Sequence, residues 1–529
     1  MALNITPVTE GASLTLKLEG KLSTVEAKDF DAAFRDAAKD KKEVLLDFSA
    51  VEYISSAGLR SLFLAKKAMI GQGGDLKVLD PTPEVMEVFQ VTHYDNVVTI
   101  VRREQENAKP VFYPLRPVQR MMVDTHFQRA ESTMMNAGAL LRLDDSVDLE
   151  RLAEAFNGLL STYDIFRARL VFHPETGDVC QRFDGEVERV AVETLSDEAF
   201  ERRKQEFKEP YELIDHPLYR AFIMQTPTAK YLYADFYHAM LDGAALVLLV
   251  WRELDKRYLN GNDSIKRTPA SYAEYILEES GIPEEELAEG RAYWKGMLAG
   301  FDKAKHLPPM DGGDPADGAE YEIEIPMEGI DKSYFKGKSF NETTFFLGAS
   351  MLATAQSTGA TDSVMTWVHN GRMTSSERRL MGLMLDQFPI RWDFSREQSV
   401  GDFLRELEKT LAEGMKYRKG MDVIYDEGLE GDCSCFILQK VGGIGRRGIM
   451  KFCGTEAVIE ELPANEVSAA ENVLDIEMDA HDDGTYSLVL PHDPDCYSMA
   501  SMKAYAHRMN EVIKAMQDEG CMVLELLRR

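Results

Sequence analysis

The chain has 529 residues, 44% hydrophobic and 28% charged, which is a globular composition with length for about three domains or lobes. Its formal net charge of −30 excludes general nucleic-acid binding and adhesion to anionic membranes, because both partners repel it. No apolar run approaches the ~18–20 residues of a membrane span, and the opening MALNITPVTEG has neither the basic nor the apolar region of a signal peptide.

In chain order, Ser13 to Leu18 alternates polar and apolar residues, as a half-buried strand does. Val25 to Ala38 carries helical spacing, with Phe30, Ala33 and Phe34 on one face. Glu43 to Phe48 is a short apolar strand, and Ala57 to Ile70 is a helix ended by Gly71 and the Gly73-Gly74 pair. Leu76 to Leu79 predicts another strand, Pro83 to Gln90 a helix opened by proline, and Val97 to Val101 a last strand. These elements predict a small α/β domain over residues 1–104. The charged, apolar-poor stretch before Pro110 predicts a linker over 105–112. A Pro-, Gly- and Asp-rich stretch at 302–320 divides the remainder into lobes at 113–301 and 302–529. Tyr231 to His238 reads as a strand, with Leu232, Ala234, Phe236 and His238 on one face; the apolar helix Ala244 to Trp251 follows. Val473 to Leu490 and Met499 to Met516 read as strand, turn, strand and helix. Six cysteines form no CxxC pair, which predicts reduced thiols, no metal and a cytoplasmic location.

Two short segments carry candidate chemistry. Ser56 stands before the predicted helix, so its hydroxyl is placed to cap free N–H groups. A phosphate there is favoured by the same groups and by the helix dipole. In the second segment, His238 ends a strand and Asp242-Gly243 turns the chain into a helix. A rigidly mounted imidazole suits a general base; a buried histidine bonded to backbone, with Asp-Gly as turn chemistry, is the plainer reading.

The first hundred residues resemble a STAS domain of the anti-sigma factor antagonist type. The matching pieces are Val44 to Ser49, Tyr53-Ile54-Ser55-Ser56-Ala57-Gly58-Leu59 and Leu76 to Leu79. The resemblance implies phosphorylation at Ser56 by an anti-sigma-type kinase, or docking of another STAS partner. The family often has Asp before that serine and after the second strand, where this chain has Ser55 and Ser23.

Residues from about 110 onward resemble the condensation domains of nonribosomal peptide synthetases and, more broadly, the chloramphenicol acetyltransferase-like, CoA-dependent acyltransferases. His238-Ala-Met-Leu-Asp242-Gly243 is the HxxxDG signature. In the family's order come Pro114 to Gln119 ("PLSPxQ"), Leu159 to Leu170 ("LxxRHDxLRTxF"), Tyr293 to Leu298 ("YWxxxL"), Asn370-Gly371-Arg372 ("xGR") and Met381 to Arg391 ("xGxFxNTxPxR"). The resemblance implies two α/β lobes arranged as a V around a tunnel, with His238 as the catalytic base or orienting group. Asp242 is then structural, paired with Arg372 or, as second choice, Arg391; Gly243 allows close backbone approach. Tyr237 replaces the first His of the peptide-condensing HHxxxDG form, which tilts the reading toward a general acyltransferase. No cofactor is bound permanently. CoA or a phosphopantetheinyl thioester is the co-substrate, so acyl-CoA or a separate acyl or peptidyl carrier protein is the partner. The alternative is a catalytically silent scaffold or partner-switching protein that binds a kinase or carrier. Because CoA and carriers are anionic, basic spots at Arg202 to Lys204, Lys416 to Lys419 and Arg446-Arg447 are candidates to offset the chain's charge.

Overall fold

The computed structural model describes residues 3–10, 13–39, 41–92, 94, 97–101, 110–207, 209–266, 269–301, 306–313, 322–428, 433–440, 448–460 and 473–528. The chain forms two compact units, Met1–Val111 and Phe112–Arg529. The linker expected at 105–112 falls largely outside the described residues, as does most of the 302–320 stretch and the Arg446-Arg447 pair.

In the first unit, strands β1 (Asn4–Glu10), β2 (Ser13–Leu22), β3 (Glu43–Ile54), β4 (Asp75–Leu79) and β5 (Thr99–Val101) make one sheet in that spatial order. The β1–β2 pair is antiparallel; all later pairs are parallel. Leu14, Leu16 and Leu18 alternate into the core opposite Val44, Leu46 and Phe48, all nearly fully buried. Helices α1 (Ala27–Ala37) and α2 (Ser56–Gly71) pack there through Phe30, Phe34, Leu62 and Met69. The helix start differs from expectation by one residue. Ser55, not Ser56, is the cap: its extended backbone leads into α2 and its Oγ accepts the Gly58 N–H at 3.2 Å. Ser56 is the first helical residue and is exposed. Gly58 is required because a Cβ there would meet the Leu22 carbonyl oxygen at 2.6 Å.

The second unit holds two six-stranded sheets. The first runs Gly448–Phe452, Thr455–Glu460, Asn136–Leu143, Lys230–Tyr237, Tyr219–Gln225 and Val192–Thr194. The second runs Glu322–Pro326, Tyr486–Pro491, Asp475–Ala480, Cys435–Lys440, Asp362–His369 and Asp386–Asp393. Each sheet has its own apolar core, and segments are exchanged between them. The Gly448–Glu460 hairpin pairs with Asn136–Leu143 and puts Met450 and Phe452 into the first core, beside Leu380 to Leu385. In return, Trp294 of helix Glu284–Met297 is fully buried in the second core, with its indole N–H on the Tyr417 carbonyl at 3.0 Å. No described helix is long and apolar enough to cross a membrane.

Candidate active site

Strand Lys230–Tyr237 sits centrally in the first sheet, paired with Asn136–Leu143 on one side and Tyr219–Gln225 on the other. Its alternation places Leu232, Ala234 and Phe236 in the core. His238 is the residue after the strand. Its backbone N–H is tied to the Met135 carbonyl at 2.8 Å, and its half-buried imidazole has an Nδ1 with no hydrogen-bond partner among the described residues. Among the described residues no carboxylate bonds to this ring as in a Ser-His-Asp triad, and Asp242 is committed elsewhere.

Asp242 is a buried hub. Oδ1 caps the following helix by accepting the Ala245 N–H at 2.7 Å, and Oδ2 accepts the Met384 N–H at 2.6 Å. Arg372 donates Nη1 to both oxygens, at 2.9 and 2.8 Å. Its Nη2 reaches the Leu380 and Gly382 carbonyls at 3.3 and 3.0 Å. The loop after His238 is thereby clamped to the Leu380–Leu385 strap. Gly371 must be glycine: its φ is +66°, and a Cβ would lie 1.5 Å from the Met384 carbonyl oxygen. Arg391 does not join this site. It forks onto Asp362 at 2.8 and 2.9 Å and donates Nη1 to the Met297 and Ala299 carbonyls.

Beyond Asp242, Gly243 is exposed at the start of a helix that runs through Gly243–Ala245, a π-helical Leu246–Trp251 and Arg252–Asn260. π turns of this kind recur beside functional sites. Tyr237 is fully buried edge-on to His126, with ring centroids 5.6 Å apart. Burial pushes its phenol pKa up.

Sequence motifs located other supports without showing their work. Fully buried Gln119 donates to the Ala239 carbonyl at 2.9 Å, fixing the residue next to His238, while its Oε1 accepts the Arg116 N–H at 3.0 Å. Arg116 stands at the Ser position of "PLSPxQ" and Asp386 at the Asn position of "NT". The two form a buried ion pair at 2.9 Å, so these departures are one compensated contact. Arg116 also holds the Leu383 and Leu385 carbonyls and both oxygens of Glu279. Burial outweighs Arg116 at Asp386 and raises its pKa; at Glu279, burial is overcome by Arg116, and the pKa is lowered. Asp164 caps helix Tyr272–Ser280 through the Tyr272 and Ala273 N–H groups. Tyr163 donates to Glu253, the buried partner of Arg257, at 2.6 Å. Several of the expected basic spots are already engaged: Arg202 by Glu198, Arg203 by Glu193 and Glu206, and Arg418 by Glu377.

Three residues before His238, Asp235 is buried, and neither of its oxygens is hydrogen-bonded among the described residues. Burial pushes its pKa up to about 6, partly offset by the charge of Arg220. The unfolded value is about 3.9, so between about pH 4 and 6 the folded state holds a proton that the unfolded chain has released. Stability therefore falls as pH rises through that window. Asp235→Asn is expected to flatten this dependence and to stabilise the protein above pH 6 by on the order of 2–3 kcal/mol. Urea midpoints from pH 4 to 8 check it; an unchanged slope in the variant contradicts it.

Two mixed α/β sheets joined by exchanged segments, with an HxxxDG loop at the end of a central strand, define the chloramphenicol acetyltransferase-like class of fold. Within it, residues 109–424, more than half the chain, match the Condensation domain family, and the chain belongs to that family. Residues 5–107 match the STAS domain. Surfactin synthase subunit 1 of Bacillus subtilis (strain 168) is 25% identical over 368 residues, covering 67% of this chain and 10% of the relative. The chain thus spans about a tenth of that relative's length. The condensation domain of the Monacolin K polyketide synthase MokA superposes with a TM-score of 0.63 at 17% identity, covering 78% of this chain and 99% of that one. A mutant starter condensation domain of rhizomide synthetase RzmA, in complex with C8-CoA and Leu-SNAC, gives 0.60 at 13% identity, covering 78% and 96%.

Proposed function

We propose that the second unit moves an acyl group from a thioester, on CoA or on a phosphopantetheinyl carrier protein supplied in trans, to an amine, alcohol or thiol acceptor. The observation that carries this reading is the clamped HxxxDG loop. His238 leaves the central strand half-buried, with no partner for Nδ1 among the described residues, while Asp242, Arg372 and Gln119 immobilise the backbone around it. In this reading His238 takes the acceptor's proton as the nucleophile bonds to the thioester carbonyl carbon. The C–S bond then breaks, and the proton passes to the departing thiolate. Gly243, exposed at a helix start, offers a backbone N–H to the substrate or its developing oxyanion. Tyr237 supports the loop from the core. The RzmA complex supplies the chemical precedent for CoA and an aminoacyl thioester as partners of such a fold. A screen of acyl thioesters against amine, alcohol and thiol acceptors, with wild type beside His238→Ala, tests the reading.

The STAS unit is proposed to dock a partner and report its state to the transferase. Ser56, exposed in the first turn of α2, is the site where an anti-sigma-type kinase would act. A phosphate adds about −1.5 to −2 charges beside free helix N–H groups. Mass spectrometry of the chain from its native host is expected to find one phosphate on the Ser56 peptide, absent in Ser56→Ala. Its persistent absence across growth conditions would leave Ser56 as plain helix surface.

A further inference from the structure

The helix spanning 243–260 begins at the HxxxDG loop and runs away from it. One stripe of it is open. Ala244, Leu248, Arg252, Lys256 and Leu259 recur at spacings of four, four, four and three, with the π turn keeping them in line. Ala244 is half-buried and the other four are exposed. The opposite side is committed to the protein: Val250, Leu254 and Tyr258 enter the first core, and Glu253 pairs with Arg257 at 2.8 Å. The helix's other carboxylate, Asp255, accepts the Cys453 N–H at 2.7 Å. Neither Arg252 nor Lys256 pairs or hydrogen-bonds through its side chain with any described residue. In a chain of net charge −30, where Arg202, Arg203 and Arg418 are engaged by local carboxylates, two such cations one turn apart offer an anion site.

Their distance from the loop selects the anion. A helical rise of ~1.5 Å per residue puts Arg252 roughly 13 Å and Lys256 roughly 19 Å along the axis from Gly243. In a pantetheinyl thioester about thirteen bonds separate sulfur from phosphorus. At the extended-chain reach of ~3.3–3.6 Å per three bonds, that is roughly 15 Å. A thioester held at His238 and the Gly243 N–H, with its arm laid along the stripe, therefore brings its phosphate between the two cations. Leu248, 41% exposed between the loop and Arg252, offers an apolar surface to the arm's methylenes. Arginine adds a planar fork suited to phosphate oxygens, and lysine a mobile point charge.

We propose that Arg252 and Lys256 bind the phosphate of the pantetheinyl donor, whether that phosphate belongs to CoA or to a phosphopantetheinylated carrier protein. The assignment rests on the proposed thioester donor at His238 and adds the residues that favour it over phosphate-free thioesters. Calorimetric titration of the full chain with CoA, a phosphopantetheinyl-serine peptide and pantetheine tests it. Saturable binding of a phosphorylated probe is expected, tighter than that of pantetheine and weakened as salt rises. In Arg252→Ala/Lys256→Ala, which keeps good helix formers at both exposed positions, that affinity is expected to fall more than tenfold while pantetheine binds as to wild type. Arg252→Lys/Lys256→Arg, with both charges kept, is expected to retain most of it. Tighter binding of CoA than of the peptide names CoA as the source; the reverse names a carrier protein. Wild-type affinity for the phosphorylated probes in the double alanine variant overturns the assignment and leaves the transfer reading standing. So does an equal loss for pantetheine, which would mark a change of fold rather than of phosphate binding. Absence of binding by both phosphorylated probes at millimolar concentration also overturns it, and thiol release by wild type but not His238→Ala then decides separately whether the transfer reading stands.

Discussion

His238→Ala is expected to lower acyl transfer by about 10²–10⁴-fold, the usual contribution of a positioned general base, while the urea unfolding curve stays near that of wild type. The two halves of this expectation have separate causes. The imidazole is the side chain of the loop that can take a proton from the acceptor and pass it on, so its loss falls on the reaction. Its Nδ1 bonds to none of the described residues, and the backbone N–H that ties it to Met135 survives the substitution, so little of the described fold depends on the ring. A residual rate remains, because holding donor and acceptor together is itself a large part of the acceleration. A folded His238→Ala variant that transfers at the wild-type rate would remove His238 from the chemistry.

Asp242→Ala is expected to act in the opposite way, on stability first. The substitution leaves the Arg372 guanidinium buried without its carboxylate, removes the cap from Ala245 and strands the Met384 N–H. Breaking one side of a buried pair typically costs about 3–5 kcal/mol, because an uncompensated charge stays behind. Removing both charges in Asp242→Ala/Arg372→Ala should cost less than the sum of the single substitutions, and urea midpoints of the four proteins measure that coupling. Transfer should fall in Asp242→Ala as well, since the loop carrying His238 loses its tie to Leu380–Leu385. A single-variant cost under about 1 kcal/mol would mean the pair is not the clamp that its geometry describes.

How much of this was legible before the structure depended on the range of the interaction. Period-two and helical patterns located the strand ending at Tyr237, the helices of the first unit and the closing Asp475–Ala480, Tyr486–Pro491 and Met499–Met516 elements, because burial of one face is a local property. Strand Asn4–Glu10 was missed: it lies at the sheet edge and carries Pro7, which weakens the local pattern. With two adjacent serines, local pattern could not separate cap from first helical residue, and Ser55 rather than Ser56 caps α2. The exchanged hairpin Gly448–Glu460 was invisible for a different reason, since its partner strand lies some three hundred residues earlier. At the site, motif order located His238, Asp242, Gly371, Arg372 and Gln119. It did not reveal that Gln119 holds Ala239, or that Arg116 and Asp386 compensate for each other. Those are contacts between distant segments, and only their convergence in space makes them readable.

Direct transfer at the HxxxDG loop is tested most closely by thiol release from an acyl thioester, followed with and without acceptor, together with the intact mass of the protein. Direct transfer entails release of one thiol per acylated acceptor, dependence on the acceptor, and no acyl group on the protein at any stage. A covalent acyl-protein, or absence of acceptor-dependent thiol release across acyl-CoA and carrier-bound donors, would contradict it.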